Sequence, residues 1–274
     1  MAVDLHIHTN LSDGIYTPEE VVKQALQAAL EAIAITDHDI TDGILMAKNA
    51  AQGKQIEIIP GIEFSTKYED HEIHILGYFI DPMCSELIHN LAIIHNVRKE
   101  RLLSIIEKLF TLGIKLDMNE VINIAGNAPI CRPHVAQAMI NAGIVKTKRE
   151  AFEKYLGFGK PAYSPLAALT PVDAVKLILA AKGVPVLAHP GVGNNSTILI
   201  NELLIAGIKG IEVHHPEHSL KQIKLYTKIA KKNNLIITGG SDFHGSINEY
   251  SLPIGSFSVS YEVVDDLKKL STNA

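Results

Sequence analysis

The sequence predicts an α/β fold, arranged as a barrel of the TIM type or a near relative. Short apolar runs alternate with amphipathic segments of helical period, which is typical of strands joined by helices in a parallel sheet. Seven of the apolar runs are candidate strands, and histidines or carboxylates stand at the ends of most of them. The length of 274 residues is sufficient for one large domain that carries an insertion.

The first part of the chain alternates between the two kinds of element. Thr17 is the expected N-cap of the first helix, because Pro18 suits the first helical position and Glu20 completes a capping box. Continuous short apolar runs are expected to be buried strands. In order, the predicted elements are a strand at 3–8, a helix at 17–31, a strand at 32–36, a helix at 42–52 and strands at 56–59 and 72–80.

The alternation stops between residues 81 and 169. This stretch has the pattern of helices, at 89–113, 118–125, 132–142 and 148–155. Alternation then resumes with helices at 170–182, 198–206 and 219–232 and strands at 184–188, 210–214 and 235–238. We therefore expect a barrel made of residues 1–80 and 170–274, with residues 81–169 as a helical insertion that caps its open face and contacts the substrate.

Side chains that commonly bind metals recur along the chain, most of them where an apolar run ends. They are His6, His8, Asp13, His38, Glu63, His74, His189, Asp242 and His244. The carboxyl ends of the strands share one face of a barrel, so residues far apart in the sequence should meet there. Imidazole and carboxylate without thiolate are typical of a catalytic metal site rather than a structural one.

Several of these residues also have a structural interpretation. Asp37 and Asp39 flank His38, and either one of them orients its ring or both cap the following helix. Glu63 comes after an apolar strand, which favours metal binding over a solvated loop carboxylate. His74 lies in an alternating strand, where a buried structural histidine is the alternative.

Basic residues of the insertion are candidate phosphate ligands. Arg98 and Arg101 are three positions apart and share one face of the long helix. Arg132 and His134 stand at a predicted helix start, where the helix dipole favours anions. Guanidinium groups match phosphate oxygens in geometry. The alternatives are a solvated basic patch for the first pair and a helix-entry role for Arg132.

Composition excludes several classes of protein. The net charge of −5 is unlike that of a protein that grips long nucleic acid, although a small anionic substrate remains compatible. Cys84 and Cys131 lack metal or redox spacing, so we expect free buried thiols in a reducing cytoplasm. No leader pattern precedes the first motif and no apolar run is long enough to cross a membrane, so no membrane association is expected.

In combination, the motifs resemble the PHP (polymerase and histidinol phosphatase) family. The resemblance extends from Asp4-Leu5-His6-Ile7-His8 to Ser241-Asp242-Phe243-His244, nearly the whole chain. It implies a distorted (β/α)₇ barrel with three divalent metal ions, often Mn²⁺, with Zn²⁺ or Fe²⁺ as alternatives. The insertion resembles that of stand-alone phosphoesterases acting on nucleoside 3′,5′-bisphosphates and on short 5′-phosphorylated RNA.

The resemblance also assigns the metal ligands, and none of these positions is replaced. The three implied sets are His6, His8, Glu63 and Asp242; Glu63, His74 and His189; and Asp13, His38 and His244. In these sets Glu63 bridges two metals. The oxygen ligand at Asp13 mildly favours Mn²⁺ over a purely zinc-selective site.

The implied activity is phosphoester hydrolysis by a metal-activated hydroxide. Glu63, Asp242 and His189 would form its catalytic centre. The substrates would be a nucleoside 3′,5′-bisphosphate, such as adenosine 3′,5′-bisphosphate giving AMP, and short 5′-phosphorylated RNA cleaved from its 5′ end.

The resemblance to these stand-alone phosphoesterases also implies that Arg98, Arg101 and Arg132 hold a second phosphate of the substrate, with His134 as a weaker candidate. The proton for the leaving oxygen could come from His214, from His215 or from a water molecule. Two other functions compete: a histidinol-phosphate-type monoesterase, which needs no second phosphate clamp, and a non-catalytic metal-binding module.

Overall fold

The chain forms one curved sheet surrounded by helices. The computed structural model describes residues 2–69, 71–166, 168–192, 197–245 and 252–271. The strands within these ranges are β1 Ala2–Asp4, β2 Ala32–Ile35, β3 Glu57–Tyr68, β4 His71–Tyr78, β5 Val184–Leu187, β6 Gly210–His214, β7 Ile236–Gly239 and β8 Val259–Ser260. They form a single sheet in the order β7-β6-β5-β4-β3-β2-β1-β8.

The two ends of this sheet approach each other. The N–H of Leu5 donates to the carbonyl oxygen of Gly239 at 3.3 Å, and Ile7 forms a parallel bridge with Phe243. The first strand segment therefore returns beside β7, and the barrel is nearly closed. This arrangement confirms the predicted α/β barrel.

One part of the predicted parallel sheet is wrong. β3 and β4 form an antiparallel hairpin, and β4 is also antiparallel to β5. Tyr68 and His71 are too close in sequence for the crossover that parallel strands need. As a consequence, Glu63 lies inside β3 rather than after it. His74, on the other arm of the hairpin, lies two positions from Leu76, the residue that faces Glu63.

The helices agree closely with the prediction. They are α1 Pro18–Gln27, α2 Asp42–Ala51, α3 Ser85–Thr111, α4 Met118–Ala125, α5 Arg132–Asn141, α6 Lys148–Ala151, α7 Pro171–Ala180, α8 Thr197–Ala206, α9 Leu220–Lys232 and α10 Tyr261–Leu270. A π-helical turn, Phe152–Leu156, continues α6. The capping box of Thr17 and Glu20 is confirmed. The sequence reading missed α10, whose Val264 and Leu267 pack into the cluster inside the barrel.

The helices of the insertion pack around a hydrophobic cluster of their own. Its fully or nearly fully buried members include Leu102, Leu109, Val135 and Met139, and all of its described buried residues lie between positions 102 and 162. Burying one such side chain stabilises a fold by roughly 1.5–3 kcal/mol. The second half of α3 and the helices α4 to α6 therefore form a compact unit, whereas the first half of α3 packs its Leu87, Leu91 and Ile94 into the main core.

Two further predictions concern the chain as a whole. Cys84 and Cys131 are free thiols, and Cys131 is buried as expected, whereas Cys84 is only half-buried. Within the described ranges, no helix is both long and apolar enough to cross a membrane.

Candidate metal centre

The nine predicted metal ligands meet at one end of the barrel. His6 and His8 follow β1, His38 follows β2, and His189 follows β5. Asp242 and His244 follow β7, whereas Glu63 and His74 come from the β3–β4 hairpin. Their ligand atoms fall into groups of three or four that lie within 4.8 Å of one another, and these groups include all nine residues.

The Glu63 carboxylate is at the centre of the cluster and is 1% exposed. The histidines with a ring nitrogen 2.9 to 3.2 Å from it are His6, His8, His38, His74 and His189. The first three face its Oε2 atom and the last two face its Oε1 atom. A carboxylate divided in this way between two sets of imidazoles is suited to bridge two cations.

Two aspartates complete the cluster on different sides. Asp242 Oδ1 lies 3.1 Å from His8 Nε2 and 3.4 Å from His6 Nε2. Asp13 Oδ1 lies 3.2 Å from His244 Nε2 and 3.8 Å from His8 Nδ1. His8 therefore stands between the two aspartates and presents one ring nitrogen to each.

Three buried polar atoms of the cluster have no hydrogen-bond partner among the described residues. They are Nε2 of His6, Nε2 of His8 and Oδ1 of Asp13. A buried polar atom without a partner costs about 1–3 kcal/mol. Imidazole nitrogens and carboxylate oxygens are ordinary ligands of divalent transition metals, and bound ions would satisfy these three atoms. The residues present therefore fit divalent metal ions.

Protons and metal ions compete for these imidazoles. Burial lowers the pKa of His8, but Asp242 and Glu63 raise it more, to about 10. Burial also lowers the pKa of His74, and again the attraction of Glu63 prevails and raises it to about 10. Metal binding requires the imidazoles in their deprotonated form. Metal binding to His8 and His74 should therefore release protons, and metal affinity should increase with pH.

Glu212 is a site residue that the sequence analysis missed. It is fully buried on β6, where its Oε1 accepts a hydrogen bond from His6 Nδ1 at 2.9 Å and its Oε2 accepts one from the His189 N–H at 2.8 Å. Because a carboxylate only accepts, the neutral ring that metal binding requires carries its hydrogen on Nδ1 and directs the Nε2 lone pair at the cluster. One feature of the sequence could have indicated Glu212: it is a carboxylate inside an apolar strand, and a buried carboxylate needs a partner.

Asp37 fulfils neither role that the sequence left open. Its carboxylate accepts from the N–H and hydroxyl of Thr9, both at 2.7 Å, and from the hydroxyl of Ser12 at 2.6 Å. It therefore fixes the loop that carries Asp13.

The Asp39 carboxylate accepts hydrogen bonds from a different set of residues. It accepts from the Ser65 N–H at 3.1 Å and from the Arg98 guanidinium. Ser65 Oγ in turn lies 3.4 Å from His38 Nδ1. The α2 helix begins at Thr41 as its N-cap, without a side-chain hydrogen bond. Asp37 thus acts on a neighbouring loop, and Asp39 acts on β3 and on Arg98 of α3, instead of on the His38 ring or the helix end.

Of the two adjacent histidines at the end of β6, His215 is the one at the site. Its Nε2 lies 3.4 Å from Asp242 Oδ2, and its Nδ1 accepts the Glu217 N–H at 3.2 Å. The hydrogen of the neutral ring is therefore on Nε2, facing Asp242. His214 instead pairs with Gly239 in the strand register.

Arg98 is buried with every donor occupied. Its Nε donates to Asp39 at 2.9 Å and its Nη2 to Asp39 and to Ser65 Oγ, the latter at 3.0 Å. Its Nη1 donates to the Ile130 carbonyl at 3.1 Å and the Cys131 sulfur at 3.3 Å. These contacts use all five N–H groups of a guanidinium. Arg98 thus ties the insertion to the loops of the cluster, and a phosphate would have to displace one of these partners.

Arg101 and Arg132 converge on another carboxylate that the sequence analysis did not single out. The Nη2 atoms of Arg101 and Arg132 lie 3.1 and 2.9 Å from Glu72 Oε2. Glu72 Oε1 lies 3.5 Å from His74 Nε2. Burial opposes ionisation of Glu72, but the two arginines hold its pKa well below the usual range. Two positive charges face one carboxylate beside a predicted metal ligand, so one positive charge is left in excess.

His134 stands apart from this arginine pair. Its Nδ1 accepts the Cys131 N–H at 3.1 Å, which caps the start of α5. Its pKa is lowered by burial, which outweighs the opposing effects of Asp13 and of the Ser12 backbone. Its ring therefore faces the loop of Asp13, whereas Arg132 from the same helical turn faces Glu72.

Known proteins are similar to this chain in sequence and in fold. The PHP domain profile matches residues 4–157. The chain is 36% identical over 247 residues to the 3′,5′-nucleoside bisphosphate phosphatase of Chromobacterium violaceum, covering 88% of this chain and 87% of that protein. It is 33% identical to the 5′-3′ exoribonuclease Rnm of Escherichia coli, covering 88% and 84%. A solved structure from Bifidobacterium adolescentis, described as a metal-dependent phosphoesterase, superposes with a TM-score of 0.91 at 27% identity, covering 98% of this chain and 96% of that one. By profile, sequence and fold, the chain belongs to the PHP domain family.

Proposed function

We propose that this protein is a metal-dependent phosphoesterase with two related substrates. It removes the 3′-phosphate of nucleoside 3′,5′-bisphosphates, and it hydrolyses short 5′-phosphorylated RNA from the 5′ end. The observation that carries this proposal is the Arg101–Arg132 pair beside a cluster of histidines and carboxylates. Relatives named for each of the two activities, over most of their length, support it.

We assign three metal ions, Mn²⁺ by preference, to the cluster. The ligand sets are those implied by the family motifs, and His8 also lies within reach of the set of Asp13, His38 and His244. When bound, such ions would activate a water molecule and offset negative charge on the reacting phosphate. Residues 81–169 would act as the cap that closes over the substrate.

The residues of the chain would divide the remaining work. Arg101 and Arg132 would hold the phosphate that does not react, and this fixed charge would position the scissile ester over the cluster. Glu72 would keep the two guanidinium groups oriented before the substrate arrives. His215 holds a hydrogen on Nε2 at the edge of the cluster, so we assign it, rather than His214, as donor to the leaving oxygen.

The deciding experiment is phosphate release by the Mn²⁺-loaded protein from adenosine 3′,5′-bisphosphate, histidinol phosphate and a short 5′-phosphorylated RNA. We expect turnover of the bisphosphate and the RNA well above that of histidinol phosphate. A preference for histidinol phosphate would identify a monoesterase instead. Absence of turnover on all three, with metal bound, would favour a non-catalytic module.

Metal content is a second expected result. After gentle purification and saturation with Mn²⁺, elemental analysis should find about three ions per chain, because the ligand groups fit separate ions of this class. Fewer than two ions at saturation would contradict the trinuclear assignment.

Replacing Arg101 or Arg132 should impair activity on substrates that carry a second phosphate and spare activity on those that do not. Arg132→Ala and Arg101→Ala should each raise KM for the bisphosphate by roughly 10- to 100-fold, because each removes a charge-assisted contact worth about 1.5–3 kcal/mol. An arylphosphate without a second phosphate should be spared. Arg149→Ala is a matched control, since Arg149 is an exposed arginine of the same insertion that pairs with Glu153. Equal loss on both substrates would contradict the clamp.

Arg98→Ala should behave differently from these two variants. Because its guanidinium is fully engaged by protein groups, its loss should lower the melting temperature and affect both kinds of substrate. Circular dichroism melting, measured beside the kinetics, separates this result from a selective defect. A selective rise in KM for the bisphosphate at unchanged stability would restore Arg98 to the clamp.

A further inference from the structure

A cavity of about 500 Å³ lies beside the metal centre, between the loop of residues 10–15 and the insertion. Asp13 forms part of its wall on the barrel side. On the insertion side, its lining includes Asn127, His134, Gln137 and Lys148. Its size falls within the usual range for small-molecule sites, about 300–1,000 Å³.

The cavity and the arginine pair adjoin different metal ligands. The arginines meet Glu72 next to His74, whereas the cavity is bounded by Asp13, whose carboxylate contacts His244. The first turn of α5 separates the two places, with Arg132 facing Glu72 and His134 lining the cavity. A substrate extended from the arginines across the cluster would therefore reach the cavity on its far side.

The lining has the chemistry of an anionic, hydrogen-bonding ligand. Lys148 is half-buried and, among the residues that the structure describes, no carboxylate forms an ion pair with it. The side-chain amides of Asn127 and Gln137 can both donate and accept hydrogen bonds. A nucleotide offers a phosphate for the ammonium group and base edges for the amides.

We propose that this cavity binds the nucleotide on the 3′ side of the scissile phosphate of an RNA substrate. The proposal rests on the function proposed above. In a bisphosphate, the nucleoside lies between the arginine-held 5′-phosphate and the reacting 3′-phosphate, and nothing extends further. In RNA, the reacting phosphorus also carries the O5′ of the next nucleotide, which continues away from the arginines toward Asp13.

The hydrolytic step is consistent with this placement. The oxygen of a water molecule forms a bond to phosphorus, the bond from phosphorus to O3′ breaks, and O3′ takes up a proton. The first nucleotide leaves with a free 3′-hydroxyl, and the shortened RNA keeps the phosphate on its new 5′ end. That product can advance from the cavity until its 5′-phosphate reaches the arginine pair. Both reactions thus take place at the same metal centre, and only the exonuclease reaction also uses the cavity.

The test compares two substrates across matched variants. Lys148→Gln removes the cation, and Asn127→Trp places a large side chain at an exposed position on the rim. Lys115→Gln removes an exposed lysine of the same insertion outside the cavity lining, as a control for charge. Steady-state kinetics with Mn²⁺ should use adenosine 3′,5′-bisphosphate and a 5′-phosphorylated RNA tetranucleotide.

We expect kcat/KM for the tetranucleotide to fall about tenfold or more in the first two variants, as for loss of a charge-assisted contact or of the space itself. The value for the bisphosphate should change by less than about twofold, and the control should resemble the wild type. An unchanged rate on RNA in both variants would overturn the proposal. So would an equal loss on both substrates, since the cavity would then support the metal centre or the fold.

A binding measurement separates failure of this inference from failure of the proposed function. Fluorescence anisotropy with a labelled 5′-phosphorylated tetranucleotide, on metal-free protein in chelator, needs no turnover. Weaker binding to Lys148→Gln and Asn127→Trp than to Lys115→Gln supports the cavity even if the wild type hydrolyses neither substrate. Equal binding to all of them overturns it even if both substrates are hydrolysed.

Discussion

Glu63→Gln should abolish most of the activity while leaving the fold intact. The carboxylate stands among five histidine nitrogens at 2.9 to 3.2 Å, and its replacement removes charge with little change of volume. The amide would present N–H donors to nitrogen lone pairs that face the cluster, and it could no longer bridge two cations. We expect kcat to fall by roughly 10³-fold or more, as for the loss of a principal electrostatic group of an active site.

The reduced activity should accompany reduced metal content, and added Mn²⁺ should restore little of it. Asp242→Asn should behave similarly, since its Oδ1 faces both His6 and His8. Turnover, elemental analysis and circular dichroism should be measured on the same preparations. Glu107→Gln, at an exposed position of α3, is the matched control. Near-normal turnover in Glu63→Gln would refute its assignment as a bridge.

Much of this site could be predicted because its ligands follow a rule of the fold. In a barrel, the carboxyl ends of parallel strands meet, so His6, His38, His189 and Asp242 could be brought together from strand positions alone. Glu63 was also identified as a site residue, although its predicted position after a strand was wrong. The short link between Tyr68 and His71 indicates a hairpin, and that hairpin, rather than strand ends, positions Glu63.

The partners of these ligands could not be predicted in the same way. Glu212 is 206 positions from His6, and Glu72 is 60 positions from Arg132. Each contact depends on how the strands and the inserted helices pack, and no local sequence pattern predicts it. The same is true of Arg98, whose helical spacing from Arg101 suggested a shared task. Their side chains leave α3 toward different partners, Asp39 in the segment after β2 and Glu72 in β4.

Glu212→Gln should weaken metal binding without touching a predicted metal ligand. In the native protein, Oε2 accepts the His189 N–H and Oε1 accepts the hydrogen of His6 Nδ1. If the glutamine oxygen keeps the bond to His189, its amide N–H group faces His6 Nδ1. The ring must then accept there, and its hydrogen moves to Nε2. A protonated Nε2, directed at Glu63 and Asp242, cannot bind a metal ion.

We therefore expect the Mn²⁺ affinity of Glu212→Gln to fall roughly 10- to 100-fold, the usual effect of losing a carboxylate that orients a histidine ligand. Activity should return at high Mn²⁺, unlike that of Glu63→Gln. The amide could instead turn its N–H group toward the His189 N–H, leaving an unpaired buried donor that costs about 1–3 kcal/mol. Mn²⁺ titration and thermal melting of the metal-free protein separate the two outcomes. A lower melting temperature with unchanged Mn²⁺ affinity would mean that Glu212 supports the loop of His189 and does not control the His6 tautomer.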